Sequence, residues 1–232
     1  MEENNKKKAS STGRRSTKEW KKLVAEFQKP DLRRALWQLT NTLLPVLGIW
    51  IGLYFLKDFS LWLCIPPAML AGLFLIRAFI IFHDCGHGSF FKSKKANDAL
   101  GFFTGMLTFT PYHHWKWEHA MHHATNGDLD RRGIGDVWTL TVEEYLTSSR
   151  WIKLSYRFLR NPFVLFLIAP LFLFFVLERI PSSKAKPREK RSVYLMNFAL
   201  LLWSVAMSMI YGFVPWLVIQ VAMMAVAGGC GI

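Results

Sequence analysis

Charged residues are scarce in this 232-residue chain. They make up 19% of it, against about 25% in an average soluble domain, whereas apolar residues make up 52%. Acidic residues are scarcer still, since 16 Asp and Glu face 29 Lys and Arg, which gives a net charge of +13. The three cysteines are scattered, which excludes a disulfide-stapled secreted module, and the high apolar content excludes a disordered chain. The basic excess leaves two interpretations, nucleic-acid binding or the cytoplasmic side of a membrane.

Long runs without charged residues favour the membrane interpretation. Residues 35–56 contain no charged side chain, and as a helix they would be about 33 Å long, enough to cross a bilayer. Residues 60–82 contain one charge, Arg77, which we expect to lie near an interface and snorkel towards it. Residues 192–232 contain none and are long enough for two spans, with a turn near Gly212 to Pro215. We therefore predict four spans and no nucleic-acid partner.

Two further apolar segments are shorter than the predicted spans: residues 99–110 are too short to cross, and residues 162–177 are borderline in length. Residues 99–110 suit a re-entrant or interfacial segment, and residues 162–177 are interrupted by Pro170. Of the 29 basic residues, 27 lie in 1–34, 92–160 and 179–191. Because positive loops favour the cytoplasm, these stretches belong on the same side, and 162–177 then cannot cross.

The predicted architecture is an all-α, multi-pass membrane protein. Its four transmembrane helices form two hairpins, accompanied by interfacial helices and a cytoplasmic region rich in histidine. Residues 1–34 would form a basic cytoplasmic tail, a solvated segment suited to an anionic leaflet.

All seven histidines fall between residues 83 and 123. His83 and His87 stand four apart, directly after the second span. His119, His122 and His123 stand at i, i+3 and i+4, so on a helix each group shares one face. Neutral imidazole is a common ligand for Zn, Cu, Fe and Ni, and these five residues are the predicted metal ligands.

Other kinds of metal site fit the sequence less well. No cysteine pair has zinc-finger spacing, and no HExxH motif supplies the base of a zinc protease. His113 and His114 are adjacent and would diverge on a helix, so we interpret them as polar loop residues. Metal-bound imidazoles usually donate their second N–H to a carboxylate. The candidates for this role are Asp84, Glu118, Asp128, Asp130 and Asp136.

The stretches HDCGHGSFF (83–91), WKWEHAMHH (115–123), GDLDRRGIGDVWTLTVEEY (127–145) and YRFLRNP (156–162) resemble the membrane-bound fatty acid desaturases, most closely acyl-lipid enzymes of the Δ12 or omega-6 type. The resemblance covers residues 35–232, which would form the desaturase domain. It implies a non-haem di-iron centre that uses O2 and two electrons to introduce a cis double bond into a membrane lipid acyl chain. The basic face would suit an acidic electron donor such as ferredoxin or cytochrome b5.

The chain departs from that family in one respect. Such desaturases carry a third histidine box, HxxHH, whereas no histidine follows His123 here. We therefore expect a fragment that is not competent for catalysis alone. The alternatives are a related di-iron hydroxylase, acetylenase or carotenoid-modifying enzyme, and a non-catalytic membrane metal-binding or scaffold protein. A transporter fits less well, since the histidines lie outside the spans.

Overall fold

The structure, a computed structural model, describes residues 24–25, 29–132 and 137–231. The predicted basic tail, residues 1–34, therefore lies mostly outside the described residues. Within the described part, every regular element is a helix. In chain order the helices are α1 (Leu32–Leu56), α2 (Leu61–His87), α3 (Lys94–Leu107), α4 (Tyr112–Thr125), α5 (Val142–Thr147), α6 (Arg150–Leu159), a π-helical turn (Val164–Ile168), α7 (Ala169–Phe175), a 3-10 turn (Leu177–Arg179), α8 (Pro187–Tyr211) and α9 (Phe213–Gly231).

Four helices are long and apolar enough to cross a bilayer, and they confirm the four predicted spans. They are α1, α2, α8 and α9. The second begins beside the predicted residue 60 but continues five residues beyond Phe82, so that it includes the first histidine pair. The last two are separated at Gly212, whose φ of 86° lies in the region that favours glycine.

Helix α2 is the centre of the bundle. It packs against α1, α3 and α9 and buries Cys64, Ala68, Ala71 and Leu75. The contact with α9 is close at Gly72, where an added Cβ would lie 2.6 Å from the carbonyl oxygen of Met223. A helix surrounded on several sides is held in a fixed position, which matters because α2 ends in the first histidine pair.

Arg77 finds its partners inside the protein. Its guanidinium donates to the Asn41 side-chain oxygen and, at 3.3 Å, to the Thr42 hydroxyl, both on α1. The side chain remains exposed at its surface. The single charge of the second span therefore has polar partners on the first span, and its expected position near the membrane interface stays a prediction.

The two short apolar segments have different roles. Residues 99–110 fall mostly in α3, which packs on α2 and buries Thr104. Residues 162–177 cover the π-helical turn and α7. Together, α6 and the helical stretch from Val164 to Arg179 are long and apolar enough for one span, but the two parts are bent by 64°. Such a bend fits a broken span or a re-entrant segment, so the expectation that 162–177 does not cross remains a prediction.

Candidate metal centre

The first histidine pair lies on the last turns of α2. Residues four apart on a helix share a face, and the rings of His83 and His87 have centroids 4.5 Å apart. The helix ends at Gly88, which has a φ of 72° and donates its N–H to the carbonyls of Asp84 and Cys85. This left-handed cap stops the helix directly after the second imidazole.

The second pair lies on α4, which is fixed against α2 by two aromatic side chains. The Tyr112 hydroxyl donates to the carbonyl oxygen of Cys85 at 2.7 Å, between the two histidines of α2. Trp115 packs its ring against Phe82 and stacks on the imidazole of His119, with centroids 4.3 Å apart. The position of α4 relative to α2 is thus set at the histidines themselves.

Four imidazoles meet between these helices. They belong to His83, His87, His119 and His123, called here the histidine quartet, and one ring nitrogen of each lies within 4.8 Å of the others. The Nε2 atoms of His83, His87 and His119 form a triangle with sides of 3.0, 3.2 and 3.2 Å. The Nε2 atom of His123 lies 3.0 Å from that of His119.

This geometry fits a bound cation. Nitrogens about 2.1 Å from one ion lie about 3.0 to 3.4 Å apart at angles of 90° to 109°, which matches the triangle. Hydrogen bonding alone does not explain it, because a ring N–H can donate to one neighbour and the remaining lone pairs would face each other. The donor set is therefore the one that a borderline metal ion requires.

The surroundings of His119 favour its neutral form. Burial, followed by the neighbouring histidines, lowers the pKa of His119 to about 4. Its lone pair is therefore available at neutral pH. Asp84 Oδ1 lies 3.3 Å from Nδ1 of His83, on the side of the ring opposite the quartet. That contact is the carboxylate partner that metal-bound histidines commonly have.

His122 is the one predicted ligand that stands apart from the quartet. Its ring centroid lies 6.2 Å from that of His119, and its side chain lines a cavity of about 720 Å³, called here the larger cavity. The i, i+3, i+4 spacing placed His119, His122 and His123 on one broad face of α4. In the structure His119 belongs both to the quartet and to the wall of the larger cavity, which His122 also lines, whereas His123 does not line that cavity.

His113 and His114 were interpreted as loop residues, and this was wrong. Both lie in the first turn of α4. His114 is buried, its Nε2 accepts the N–H of Ser182 at 3.1 Å, and its Nδ1 lies 3.5 Å from Oε2 of Glu118. The helix begins at Tyr112, directly after Pro111 at the N-cap position, so both histidines fall inside it.

The other candidate carboxylates have local partners. Glu118 faces His114, and burial raises the pKa of its carboxyl. Asp128 pairs with the Arg131 guanidinium at 2.6 Å and accepts the N–H of Asp130. Asp136 lies outside the described residues. Among the candidates within the described residues, Asp84 is the one with a contact to a member of the quartet.

The larger cavity has an acidic group that sequence analysis missed. Glu178 is buried, its Oε2 has no hydrogen-bond partner within the described residues, and it lines the larger cavity together with His122. It also lines a second cavity of about 150 Å³, the smaller cavity, whose wall is mostly apolar. In the sequence Glu178 directly follows an apolar run, where a charge ordinarily indicates the end of a membrane segment.

Trp115 was also missed as part of the site. It lines both cavities and covers one face of His119. Its spacing of four from His119 was the available signal, since residues four apart on a helix are neighbours.

The chain is similar to known lipid-modifying proteins. A family model described as "Fatty acid desaturase" matches residues 60–231. A "Fatty acid desaturase" of Bacillus subtilis is 42% identical over 93% of this chain and 61% of its own length. In Synechocystis, an "sn-1 acyl-lipid omega-3 desaturase (ferredoxin)" is 29% identical over 73% of the chain and 46% of that protein.

Also in Synechocystis, an "sn-1 oleoyl-lipid 12-desaturase" is 34% identical over 44% of the chain and 29% of that protein. The chain thus spans between about a third and three fifths of these curated relatives. No solved structure matches it.

Proposed function

Because this chain belongs to the fatty acid desaturase family, whose members are oxidoreductases, we propose that it takes part in the O2-dependent introduction of a cis double bond into a lipid-linked acyl chain. It is an integral membrane protein with four apolar helices. The observation that carries the proposal is the histidine quartet, four imidazoles converging at the end of a membrane-spanning helix.

We propose that iron is the metal. His83, His87, His119 and His123 would hold one ion, and His122 would contribute to a second from the wall of the larger cavity. When bound, a pair of irons supplies the oxidising power that activates dioxygen with two electrons. The family resemblance implies more ligands than these five, so they are proposed as part of a ligand set. Asp84 would hold the His83 ring in its ligating tautomer.

The two cavities give the acyl chain a place beside the quartet. Phe79, Trp115 and Leu173 line both of them, so the apolar smaller cavity adjoins the larger one. An alkyl chain is stabilised in such an environment because its apolar surface leaves water. These walls would also exclude water from the reacting carbons.

Position, donor and orientation are the finer parts of the proposal. Relatives named for omega-3 and for 12-desaturation support an acyl-lipid substrate, and among these we propose the Δ12 or omega-6 position. The name of an omega-3 relative supports a ferredoxin-type electron donor. The basic residues of the chain would attract an acidic electron carrier, which could also be cytochrome b5. The N-terminus and both histidine pairs would face the cytoplasm.

The decisive experiment measures product with and without the imidazoles. The full-length protein, with any residues that lie beyond this chain, is expressed together with a ferredoxin system in a host that lacks diunsaturated acyl chains. The fatty acids of its lipids are then identified by mass spectrometry. We expect a diunsaturated product, and its loss by at least tenfold on substituting His83, His87, His119, His122 or His123 by alanine. Iron content is measured in parallel.

His113→Ala is the matched control, since this residue lies on the same helix but outside the quartet. It should retain activity. A hydroxylated or carotenoid product would replace the proposed reaction by one of the related di-iron chemistries. Iron bound in full with no oxidised product would favour the non-catalytic metal-binding alternative.

A further inference from the structure

The helix α6 has an apolar face that no other described element covers. Trp151, Leu154 and Phe158 stand at i, i+3 and i+7, which places them on one side of the helix. Trp151 is 78% exposed, and the other two are about 60% exposed. Within the described part of the chain, the main helix packing of α6 is with the π-helical turn that follows it. We call these three residues the α6 apolar face.

The neighbouring side of the same helix is basic. Arg150, Lys153 and Arg157 repeat at the same spacing, and α6 contains no acidic residue. Lys153 and Arg157 form hydrogen bonds with the preceding helix, α5. Lys153 donates to the Leu146 carbonyl at 2.8 Å, and Arg157 donates to the Tyr145 hydroxyl at 2.6 Å. Arg150 at the start of the helix is exposed. Such a pairing of apolar and basic faces is the pattern of helices that lie in a membrane surface.

The exposed apolar surface continues along the chain. Phe163, Phe166 and Leu167 follow the α6 apolar face, and each is exposed in the segment that approaches the bundle. That segment makes an angle of 64° with α6. With ten residues, α6 is about 15 Å long, far too short to cross a bilayer, but a bend of this size lets it turn into the plane of the surface.

We propose that α6 lies in the bilayer interface, with its apolar face among the acyl chains and its basic side towards anionic lipid headgroups. Trp151 would occupy the headgroup level, where tryptophan is enriched. The sequence placed residues 124–160 in the cytoplasm, so this assigns a different environment to their second half. The proposal does not depend on the redox chemistry.

The position of α6 has a consequence for the larger cavity. Leu159 and Arg160, at the end of α6, line that cavity together with Leu165 of the π-helical turn. If α6 is held in the interface, this wall lies at headgroup level. A lipid whose headgroup stays at the surface can then insert its acyl chain sideways towards the histidine quartet.

The test measures the surroundings of single spin labels in reconstituted vesicles. Cys64 and Cys85 are buried, so replacing the exposed Cys230 by serine leaves no reactive thiol among the cysteines. New cysteines are placed at Leu154 and Trp151, and at Glu143 as the control, an exposed acidic position on α5. Accessibility to oxygen, which partitions into lipid, and to a water-soluble nickel chelate is measured for each label.

In vesicles containing phosphatidylglycerol, we expect labels at 151 and 154 to favour oxygen by at least threefold relative to the label at 143. Nickel access at 154 equal to that at 143 would overturn the proposal, because the helix would lie in water. Low access to both reagents at 154 would also overturn it, in favour of cover by protein such as a second copy. Two label sites keep the result independent of damage at either one.

The charge component is tested in the same samples. In vesicles of phosphatidylcholine alone, the label at 154 should lie at a shallower depth than with phosphatidylglycerol. An unchanged depth would overturn the assignment of anionic headgroups. Because no measurement involves iron or product, failure here is distinct from failure of the proposed desaturation.

Discussion

His119 is the residue on which the quartet depends. Its Nε2 lies within 3.2 Å of three other imidazole nitrogens, and Trp115 covers its ring. Burial and the adjacent histidines lower its pKa to about 4, whereas an unfolded chain has the ordinary value near 6.5. Between these pH values the unfolded chain binds a proton that the folded protein does not. The folded state therefore loses stability as the pH falls from 6.5 towards 4.

This linkage predicts the pH dependence of the metal-free protein. Its free energy of unfolding should rise between pH 4 and pH 6.5, and the rise should be smaller in His119→Gln. His113 and His114 also have pKa values lowered by burial, so part of the rise should remain in the variant. Denaturant titrations in detergent across this range provide the measurement. Equal slopes for the two proteins would show that His119 titrates normally.

At the scale of elements, the sequence predicted what depends on local pattern. Long segments with almost no charged residues located α1, α2, α8 and α9, because a helix that crosses a bilayer needs about 20 mostly apolar residues. The i, i+4 spacing identified both pairs of the quartet, since helical geometry fixes which residues share a face. What depends on long-range packing was not predictable. The burial of His114 against Ser182, 68 positions away, and the cavity position of Glu178 have no local signal.

Helix packing at α2 predicts a clear difference between two glycines. In Gly72→Ala the new Cβ would lie 2.6 Å from a backbone oxygen of α9, so that helices must separate, at a cost of about 1–3 kcal/mol. Gly48→Ala on α1 meets nothing within 4 Å and should be neutral or slightly stabilising. Unfolding free energies of the two variants in the same detergent provide the comparison. A similar value for both would mean that α2 and α9 do not pack as described.

For the whole molecule, the quartet brings together two helices that are otherwise held by aromatic packing and by the hydrogen bond from Tyr112 to the Cys85 carbonyl. A metal that binds this site only in the folded protein must stabilise it. At a concentration of Fe(II) 100-fold above its dissociation constant, we expect a gain of about 2.7 kcal/mol, reversed by a chelator. His87→Ala should remove the gain without lowering the stability of the metal-free protein to the same extent. Equal stabilisation of the variant would place the ion elsewhere.

The topology of the whole chain is a separate prediction. The distribution of basic residues puts residues 124–160 and 179–191 on one side of the membrane. Cysteines introduced at Thr147 and Lys184 should react alike with an impermeant reagent in sealed vesicles. Opposite reactivity would show that the bent segment between them crosses, and the number of spans would become five.

The division of the quartet between α2 and α4 also fixes an order of events during synthesis. His83 and His87 leave the ribosome before His119, which follows His87 by 32 positions, and α3 lies between them in the chain. A nascent chain ending before α4 offers two imidazoles, too few to hold an ion firmly. If the quartet holds a metal ion as proposed, its capture would wait until the second helix has emerged and docked through Tyr112, and a loaded site would then report that α2 and α4 have come together.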